Sequence, residues 1–191
     1  MKPTGPGRDN ASGAQMHRLF FALWPDDAVR ARIAESAASV LSEHAPGGRA
    51  LKLERYHMTL QFLGDFLPLP AALIEDAQAA AAALRSPAFE LVLDEVGSFR
   101  GANVWWFGPR HVPDALRALY DALGQSLEAH RVPVKPSASF VPHLTVQRDV
   151  RRHVAHAPLP PLAWPVREFV LVDSQPGRGT PYELIGRWSL A

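Results

Sequence analysis

The sequence predicts an α+β fold of two duplicated lobes, in which antiparallel sheet carries helices on its outside and lines a central cleft. Short apolar runs of strand type alternate along the chain with stretches of helical periodicity. The pattern His-x-Thr-apolar-Gln occurs twice, at 57–61 and at 143–147. Each copy follows the same order of strand, Pro-Asp-opened helix and motif strand, and Phe20 and Trp106 precede their His by equal distances. A duplicated unit of this kind packs about a pseudo-twofold axis, so the two motifs are expected to face each other across the cleft.

The first half begins with RLFFALW (18–24), an aromatic and aliphatic run typical of a buried strand. Pro25 and Asp26 suit the first turn of a helix, and apolar residues at helical spacing continue until a Pro-Gly-Gly stop at 46–48. A strand-like ALKLE (50–54) then leads into the first motif strand.

After the first motif, a second helix is predicted from Pro68 to about Arg85, and a strand over 88–99. The second half opens with NVWWFG (103–108), another short aromatic strand. Pro113 begins a third helix, whose predicted apolar stripe consists of Leu116, Leu119, Tyr120, Leu123 and Leu127. Two last strands, REFVLVDS (167–174) and PYELIGRWSL (181–190), are expected to be joined by a Gly-rich hairpin connection.

Length and composition predict one domain. A chain of 191 residues with 47% hydrophobic and 20% charged residues can bury an ordinary core, which we assign to 16–191. Residues 1–15 are rich in Gly, Pro, Ser and Asn and are interpreted as a disordered tail. The sequence has no run approaching the roughly 20 apolar residues that cross a bilayer and no secretory signal, so we expect a soluble, cytoplasmic protein that does not bind membranes.

Charge and cysteine content narrow the chemistry. The sequence has no Cys, which excludes disulfides, thiolate nucleophiles and Cys-ligated metals. The net charge is +1, with residues 1–99 acidic on balance and residues 100–191 basic. This distribution favours an anionic ligand on the C-terminal half, and it is too weak for a long duplex footprint.

The alternation of side chains along a strand places the polar residues of each motif on one face. In the first copy, His57, Thr59 and Gln61 are expected to face a ligand while Met58, Leu60 and Phe62 enter the core. In the second copy, the ligand-facing residues are His143, Thr145 and Gln147, and the core residues are Leu144 and Val146. The remaining six His are interpreted as satisfied or exposed side chains.

Two facing imidazoles suit displacement at phosphorus. Because the unperturbed pKa of His is about 6.5, one ring can act as a base while its partner acts as an acid at the same pH. In-line attack places the entering and leaving oxygens on opposite sides of the phosphorus, with one His for each. Thr59 and Thr145 can donate hydrogen bonds to the non-bridging oxygens, where charge develops. A 2′,3′-cyclic phosphate is an apt substrate, and the scheme requires no metal and no cofactor.

Four segments carry a resemblance to a known family: RLFFALWP, HMTLQFLG, PHLTVQR and FVLVDSQPGRGTPYELIGRWSL. They resemble the bacterial and archaeal RNA 2′,3′-cyclic phosphodiesterases, also called 2′-5′ RNA ligases, of the two-His phosphoesterases. The resemblance runs from about residue 17 to the C-terminus. It implies a bilobal fold with a V-shaped cleft, hydrolysis of 2′,3′-cyclic phosphates on RNA ends or nucleotides to 2′-phosphates, and weak reversible 2′-5′ ligation.

The resemblance also assigns roles to single residues. It implies that His57 is the general acid, that His143 is the general base, and that Arg148 binds the phosphate. Strict alternation places Arg148 on the face opposite His143, so either the strand bulges or ends there, or Arg148 is a structural or solvated cation. Phe140 precedes the second motif and is expected either to stack on a base or to pack in the core.

Three other functions are compatible with parts of the sequence pattern. A metalloenzyme is disfavoured because two His on separate strands supply only two ligands. A phosphate- or RNA-end-binding module without chemistry would use the same cleft. A phosphodiesterase for another cyclic phosphate, or for a 2′-5′-linked oligonucleotide, would keep the mechanism. We expect a monomer without a protein partner.

Overall fold

The computed structural model describes residues 15–134, 139–177 and 181–191. Residues 1–14 of the predicted tail and residues 178–180 of the predicted hairpin connection lie outside the described residues. The strands are β1 (His17–Leu23), β2 (Arg49–Ala50), β3 (Met58–Phe66), β4 (Phe89–Phe99), β5 (Val104–Gly108), β6 (Leu144–Arg148), β7 (Ala157–Val166), β8 (Glu168–Ser174) and β9 (Glu183–Ser189). The helices are α1 (Asp27–His44), α2 (Ala71–Ala82) and α3 (Asp114–Ala129).

The described strands form one antiparallel sheet with an internal symmetry. Its order is β7-β4-β5-β6-β3-β1-β8-β9, and β2 pairs with the end of β6. The two central strands carry the motifs, and within the described ranges a single residue pair, Met58 with Leu144, joins them. Four strands extend from this junction on each side, so β3-β1-β8-β9 mirrors β6-β5-β4-β7. The predicted α+β architecture of two related halves is confirmed.

The helices tie the two halves together. The carboxylate of Asp26 caps α1 by accepting the N–H of Val29 at 2.8 Å, as an N-cap residue should. α1 then packs against β7, a strand of the opposite half, where Arg32 donates to the carbonyl of Ala163 at 3.0 Å. α3 begins in the second half and contacts β3 of the first. Because α1 and α3 reach across, one continuous core joins both sides.

The predicted alternation is broken at the same place in both motifs. Thr59 lies opposite Ala22 and Gln61 opposite Phe21, so Leu60 is an extra residue in β3. The second copy repeats this bulge at Val146, which is extra between β5 and β6. A bulge turns the residues that follow it to the other face of the sheet.

The bulges correct the predicted faces. Gln61 and Gln147 are buried away from the cleft, and their side-chain amides donate to the carbonyls of Tyr120 and Gly47 at 3.0 and 2.7 Å. Phe62, which was predicted to enter the core, lines the central cavity instead, and so does Arg148. The prediction of His-Thr-Gln rows facing the ligand is therefore wrong in its third residue.

Other expectations also fail locally. Ala22, rather than Phe20, is the structural counterpart of Trp106, because each lies opposite the Thr of its motif. The predicted strand ALKLE is reduced to β2 and a 3₁₀ turn at Leu53–Arg55, since β3 occupies the rest of the β6 edge. Strand β7 was missed because it contains four prolines. These prolines are tolerated because β7 lies at the edge of the sheet, where a missing N–H donor need not break a ladder hydrogen bond.

Gly97 makes room for the indole of Trp106 beside the second motif. A Cβ added to Gly97 would lie 2.2 Å from Cζ2 of Trp106, so Gly97→Ala must displace this fully buried ring. We expect the free energy of unfolding to fall by about 1–3 kcal/mol, measured by urea denaturation. Gly101→Ala is the control because nothing lies within 4 Å of its added Cβ. Equal stability of the two variants would refute this packing role.

Candidate active site

Both motif His occupy the same local setting, immediately before a central strand. Nδ1 of His57 lies 2.7 Å from the carbonyl oxygen of Arg55, and Nδ1 of His143 lies 2.8 Å from that of Val141. A carbonyl oxygen only accepts hydrogen bonds, so Nδ1 is the donor in each ring. In the neutral state, the lone pair of each imidazole is therefore on Nε2. His57 and His143 therefore have the same tautomer, as well as the same position before a central strand.

Both His side chains line one central cavity of about 720 Å³. The cavity brings together His57, Thr59, His143 and Arg148 as the sequence predicted. Lining residues that the sequence analysis did not select include Arg18, Phe20, Lys52, Arg55, Phe62 and Tyr182. The end of β8 and the loop after it contribute Ser174 to Gly177. Residues from distant parts of the chain thus converge around the His pair.

Two predicted site residues are not among the described residues that line this cavity. Thr145 precedes the bulge and lies opposite Trp106 on the neighbouring strand. Phe140 stacks on Tyr120, with ring centroids 3.9 Å apart and planes 17° apart. This contact matches the core-packing alternative for Phe140. Base stacking by Phe140 stays a prediction.

Aromatic rings surround each imidazole. His57 lies 5.0 Å from Phe20, 6.0 Å from Trp24 and 5.4 Å from Tyr182, measured between ring centroids. His143 has Phe99 at 4.8 Å in an edge-to-face arrangement and Trp106 at 6.5 Å. The sequence did not indicate that Tyr182 contacts His57 and lines the cavity, because no local pattern relates it to a motif that lies more than a hundred residues away.

Basic side chains dominate the cavity wall, and no carboxylate is among its described lining residues. The cations are Lys52, Arg55 and Arg148, together with Arg18 and Arg49, which are paired with the carboxylates of Asp65 and Asp149. Four of the five come from residues 1–99, the half that is acidic on balance, so the net charge of each half did not indicate which half contributes most of these cations. Topology, not segment charge, decides where cations meet. Such a wall favours an anionic ligand.

Burial controls the protonation of both His. The pKa of His57 is lowered from 6.5 to about 4, mainly by loss of solvation and against the opposing effect of the Arg55 carbonyl. The charges of Arg148, His143 and Arg30 contribute smaller parts of this lowering. Burial also lowers the pKa of His143, and the Val141 carbonyl again opposes the change. Both rings are therefore neutral at pH 7 in the unliganded protein, and a bound anion would favour their protonation.

The donor set does not suggest a metal centre. Within 15–134, 139–177 and 181–191, no three His, Asp or Glu side chains are grouped so that they could hold a metal ion. Among the same residues, no helix has the length and apolar character needed to span a bilayer.

Comparisons with known proteins agree with this geometry. The family model described as the 2′-5′ RNA ligase superfamily matches residues 24–178. The RNA 2′,3′-cyclic phosphodiesterase of Escherichia coli (strain K12) is 32% identical over 180 residues, which cover 93% of this chain and 98% of that protein. One of the same name from Geobacillus stearothermophilus is 32% identical over 156 residues, covering 72% of this chain and 46% of the relative. The crystal structure of E. coli LigT complexed with 3′-AMP matches with a TM-score of 0.74 at 30% identity, over 93% of this chain and 99% of that one.

Arg148 contributes to the low pKa of His57 by charge repulsion. We expect Arg148→Gln to raise the pKa of His57 above about 4, because one cation that opposes the imidazolium is removed while burial remains. The measurement is a pH titration of the imidazole signals by NMR. Arg152→Gln, an exposed change just beyond β6, should leave the pKa unchanged. An unaltered His57 titration in Arg148→Gln would contradict the expected proximity.

Proposed function

The chain belongs to the 2′-5′ RNA ligase superfamily, and from this premise we propose that it hydrolyses 2′,3′-cyclic phosphates of RNA ends or nucleotides to 2′-phosphates. In this proposal His57 is the general acid and His143 the general base. The two curated relatives described above are RNA 2′,3′-cyclic phosphodiesterases by name, and the E. coli protein has been crystallised with 3′-AMP.

One observation carries the proposal: two imidazoles of the same tautomer line one basic cavity. Because Nδ1 of each ring is held by a backbone carbonyl, Nε2 is the nitrogen that can exchange protons with a ligand. General acid–base catalysis needs two such groups, within hydrogen-bond reach of the attacking and the leaving oxygen. A cyclic phosphate lying between His57 and His143 supplies the leaving oxygen, and a water on the opposite side of its phosphorus supplies the attacking oxygen.

The reaction uses one water and leaves the proton count unchanged. The water oxygen attacks phosphorus while Nε2 of His143 accepts one of its protons. The bond from phosphorus to the 3′ oxygen breaks, and protonated His57 donates its Nε2 proton to that oxygen. The product carries its phosphate on the 2′ oxygen, and exchange with solvent restores the two rings. The same sequence, with the 5′-hydroxyl of another RNA end in place of water, would join RNA ends through a 2′-5′ linkage, and its reversal, with the roles of the two His exchanged, would cleave that linkage.

The remaining site residues act on the phosphate. Thr59 would donate a hydrogen bond to a non-bridging oxygen, and the guanidinium of Arg148 would balance the charge that develops there. The same contact for Thr145, which is not among the described residues lining the cavity, stays a prediction. The phosphate in turn offsets the cations around His57 and raises its pKa. Binding therefore prepares the acid for its role. No step requires a metal or a cofactor.

We further propose that the protein acts as a monomer in the cytoplasm, since one chain supplies every group named above. The competing possibilities are a different cyclic phosphate or 2′-5′-linked substrate, and a binding module without chemistry. A panel of 2′,3′-cyclic nucleotides and cyclic-phosphate-ended RNAs, assayed with and without a chelator, separates them. Turnover that persists in chelator, with a 2′-phosphate product identified by ³¹P NMR, supports the proposal. A 3′-phosphate product would reverse the leaving-group assignment.

Removal of either imidazole should abolish most of the turnover. We expect His57→Ala and His143→Ala each to lower kcat for a 2′,3′-cyclic nucleotide by about 10²–10⁴-fold, because each variant lacks one proton carrier. His153→Ala, which replaces an exposed His, is the matched control and should retain the parent rate. If either motif variant hydrolyses the substrate as fast as the parent protein, the acid–base assignment fails.

The lowered pKa values predict an acidic optimum for the free enzyme. In the active form one of the two His is protonated and the other is neutral. The pKa of each His lies below 6.5. As pH rises above both values the acid loses its proton, and as pH falls below both the base gains one. We therefore expect kcat/KM to peak below pH 6.5 and to decline through neutrality, measured with a cyclic mononucleotide. A plateau extending above pH 8 would contradict this assignment.

A further inference from the structure

Three side chains form a stack that leads from helix α1 to His57. The indole of Trp24 lies 24° from parallel to the imidazole, with ring centroids 6.0 Å apart. The guanidinium carbon of Arg30 lies 4.7 Å from the centroid of the Trp24 ring. Arg30 thus reaches His57 through an aromatic spacer.

Arg30 is held rigidly in this position. Its side chain belongs to the buried face of α1, with only 8% of the residue exposed. Nε donates to the carbonyl of Pro25 at 2.8 Å, and Nη2 is buried without a hydrogen-bond partner among the described residues. Burying a guanidinium with an unpartnered N–H costs free energy. The cation–π contact with Trp24 offsets part of this cost, so the cation and the indole fix each other.

His57 depends on such neighbours for its orientation. The hydrogen bond to the Arg55 carbonyl fixes one point of the ring, about which the imidazole could still tilt. Phe20 and Tyr182 restrict this tilt from two directions, and Trp24 restricts it along its stacked face. A loose Trp24 would therefore leave the direction of Nε2 less defined.

We infer that Arg30 is a positioning residue for His57: it holds the Trp24 indole against the imidazole and thereby fixes where Nε2 points. This inference rests on the proposed role of His57 as the general acid. Arg30 does not line the cavity among the residues described there, so its effect on turnover must pass through His57.

The charge of Arg30 gives a second, separable effect. It is one of the cations that lower the pKa of His57, after burial and after Arg148 and His143. Removing the charge should raise that pKa, whereas a Lys at the same position should preserve most of it. The charged and titratable groups around the stack are Asp26, Asp27, Glu54, Arg55, His143, Arg148, Tyr182 and Arg187.

The test compares Arg30→Met, Arg30→Lys, Trp24→Leu and the Trp24→Leu/Arg30→Met double variant. Arg32→Met is the matched control, since Arg32 is an exposed Arg of the same helix; it loses the hydrogen bond to the Ala163 carbonyl, and the thermal melt measures what that loss costs in stability. Each protein is assayed for kcat and KM with a 2′,3′-cyclic mononucleotide, and the pKa of His57 is measured by NMR. Thermal melts establish that each variant is folded.

We expect Arg30→Met to lower kcat by about tenfold with KM nearly unchanged, because misorientation affects the reacting geometry more than binding. Its His57 pKa should rise, while Arg30→Lys should lose kcat and keep the parent pKa. The double variant should be no slower than Trp24→Leu alone, since Arg30 acts through the indole. Arg32→Met should match the parent protein.

A folded Arg30→Met with the parent kcat would overturn the inference, whatever the pKa of its His57. Additive losses in the double variant would also overturn it, because they would show that Arg30 acts independently of Trp24. If Arg30→Met does not fold, Arg30→Lys decides by the same comparison of kcat. Failure of the proposed function is recognised separately: the parent protein itself would not hydrolyse any cyclic phosphate, and the His57 pKa measurements would remain interpretable.

Discussion

Two hydrogen bonds between an imidazole and the backbone constrain the whole candidate site. Each motif His donates its Nδ1 proton to the carbonyl two residues before it, which leaves Nε2 to meet a ligand. The bulges at Leu60 and Val146 then determine which later residues share that face, and they bring Arg148 into the cavity. In the proposed mechanism, the pseudo-twofold fold presents two imidazoles of the same tautomer to one phosphate.

The two halves share their order of strands and the backbone setting of the motif His, but the surroundings of the two rings differ. The ring of His57 stacks with Trp24, and Arg30 makes a cation–π contact with the same indole. By contrast, Phe99 and Trp106 contact the ring of His143 in edge-to-face arrangements. Burial lowers both pKa values, and cations lower that of His57 further. Different roles for two copies of one motif require such asymmetry, since identical environments would give no preference for acid or base.

Sequence periodicity predicted the helices and the central strands because their apolar residues follow one buried face. The stripe of α3 is an example, with Leu116, Leu119, Leu123 and Leu127 all fully buried. It could not predict the bulges, which depend on pairing with a distant strand, or β7, whose prolines are acceptable only at a sheet edge. Likewise, Tyr182 and Arg30 reach His57 only through tertiary packing, so no local pattern indicates them.

The most direct test of the central claim is a crystal structure of the protein with 2′-AMP, the product expected from an adenosine 2′,3′-cyclic phosphate. The account predicts one phosphate group whose oxygens lie within hydrogen-bond distance of Nε2 of both His57 and His143. A phosphate that contacts only one of these rings, or that binds elsewhere in the molecule, would contradict it.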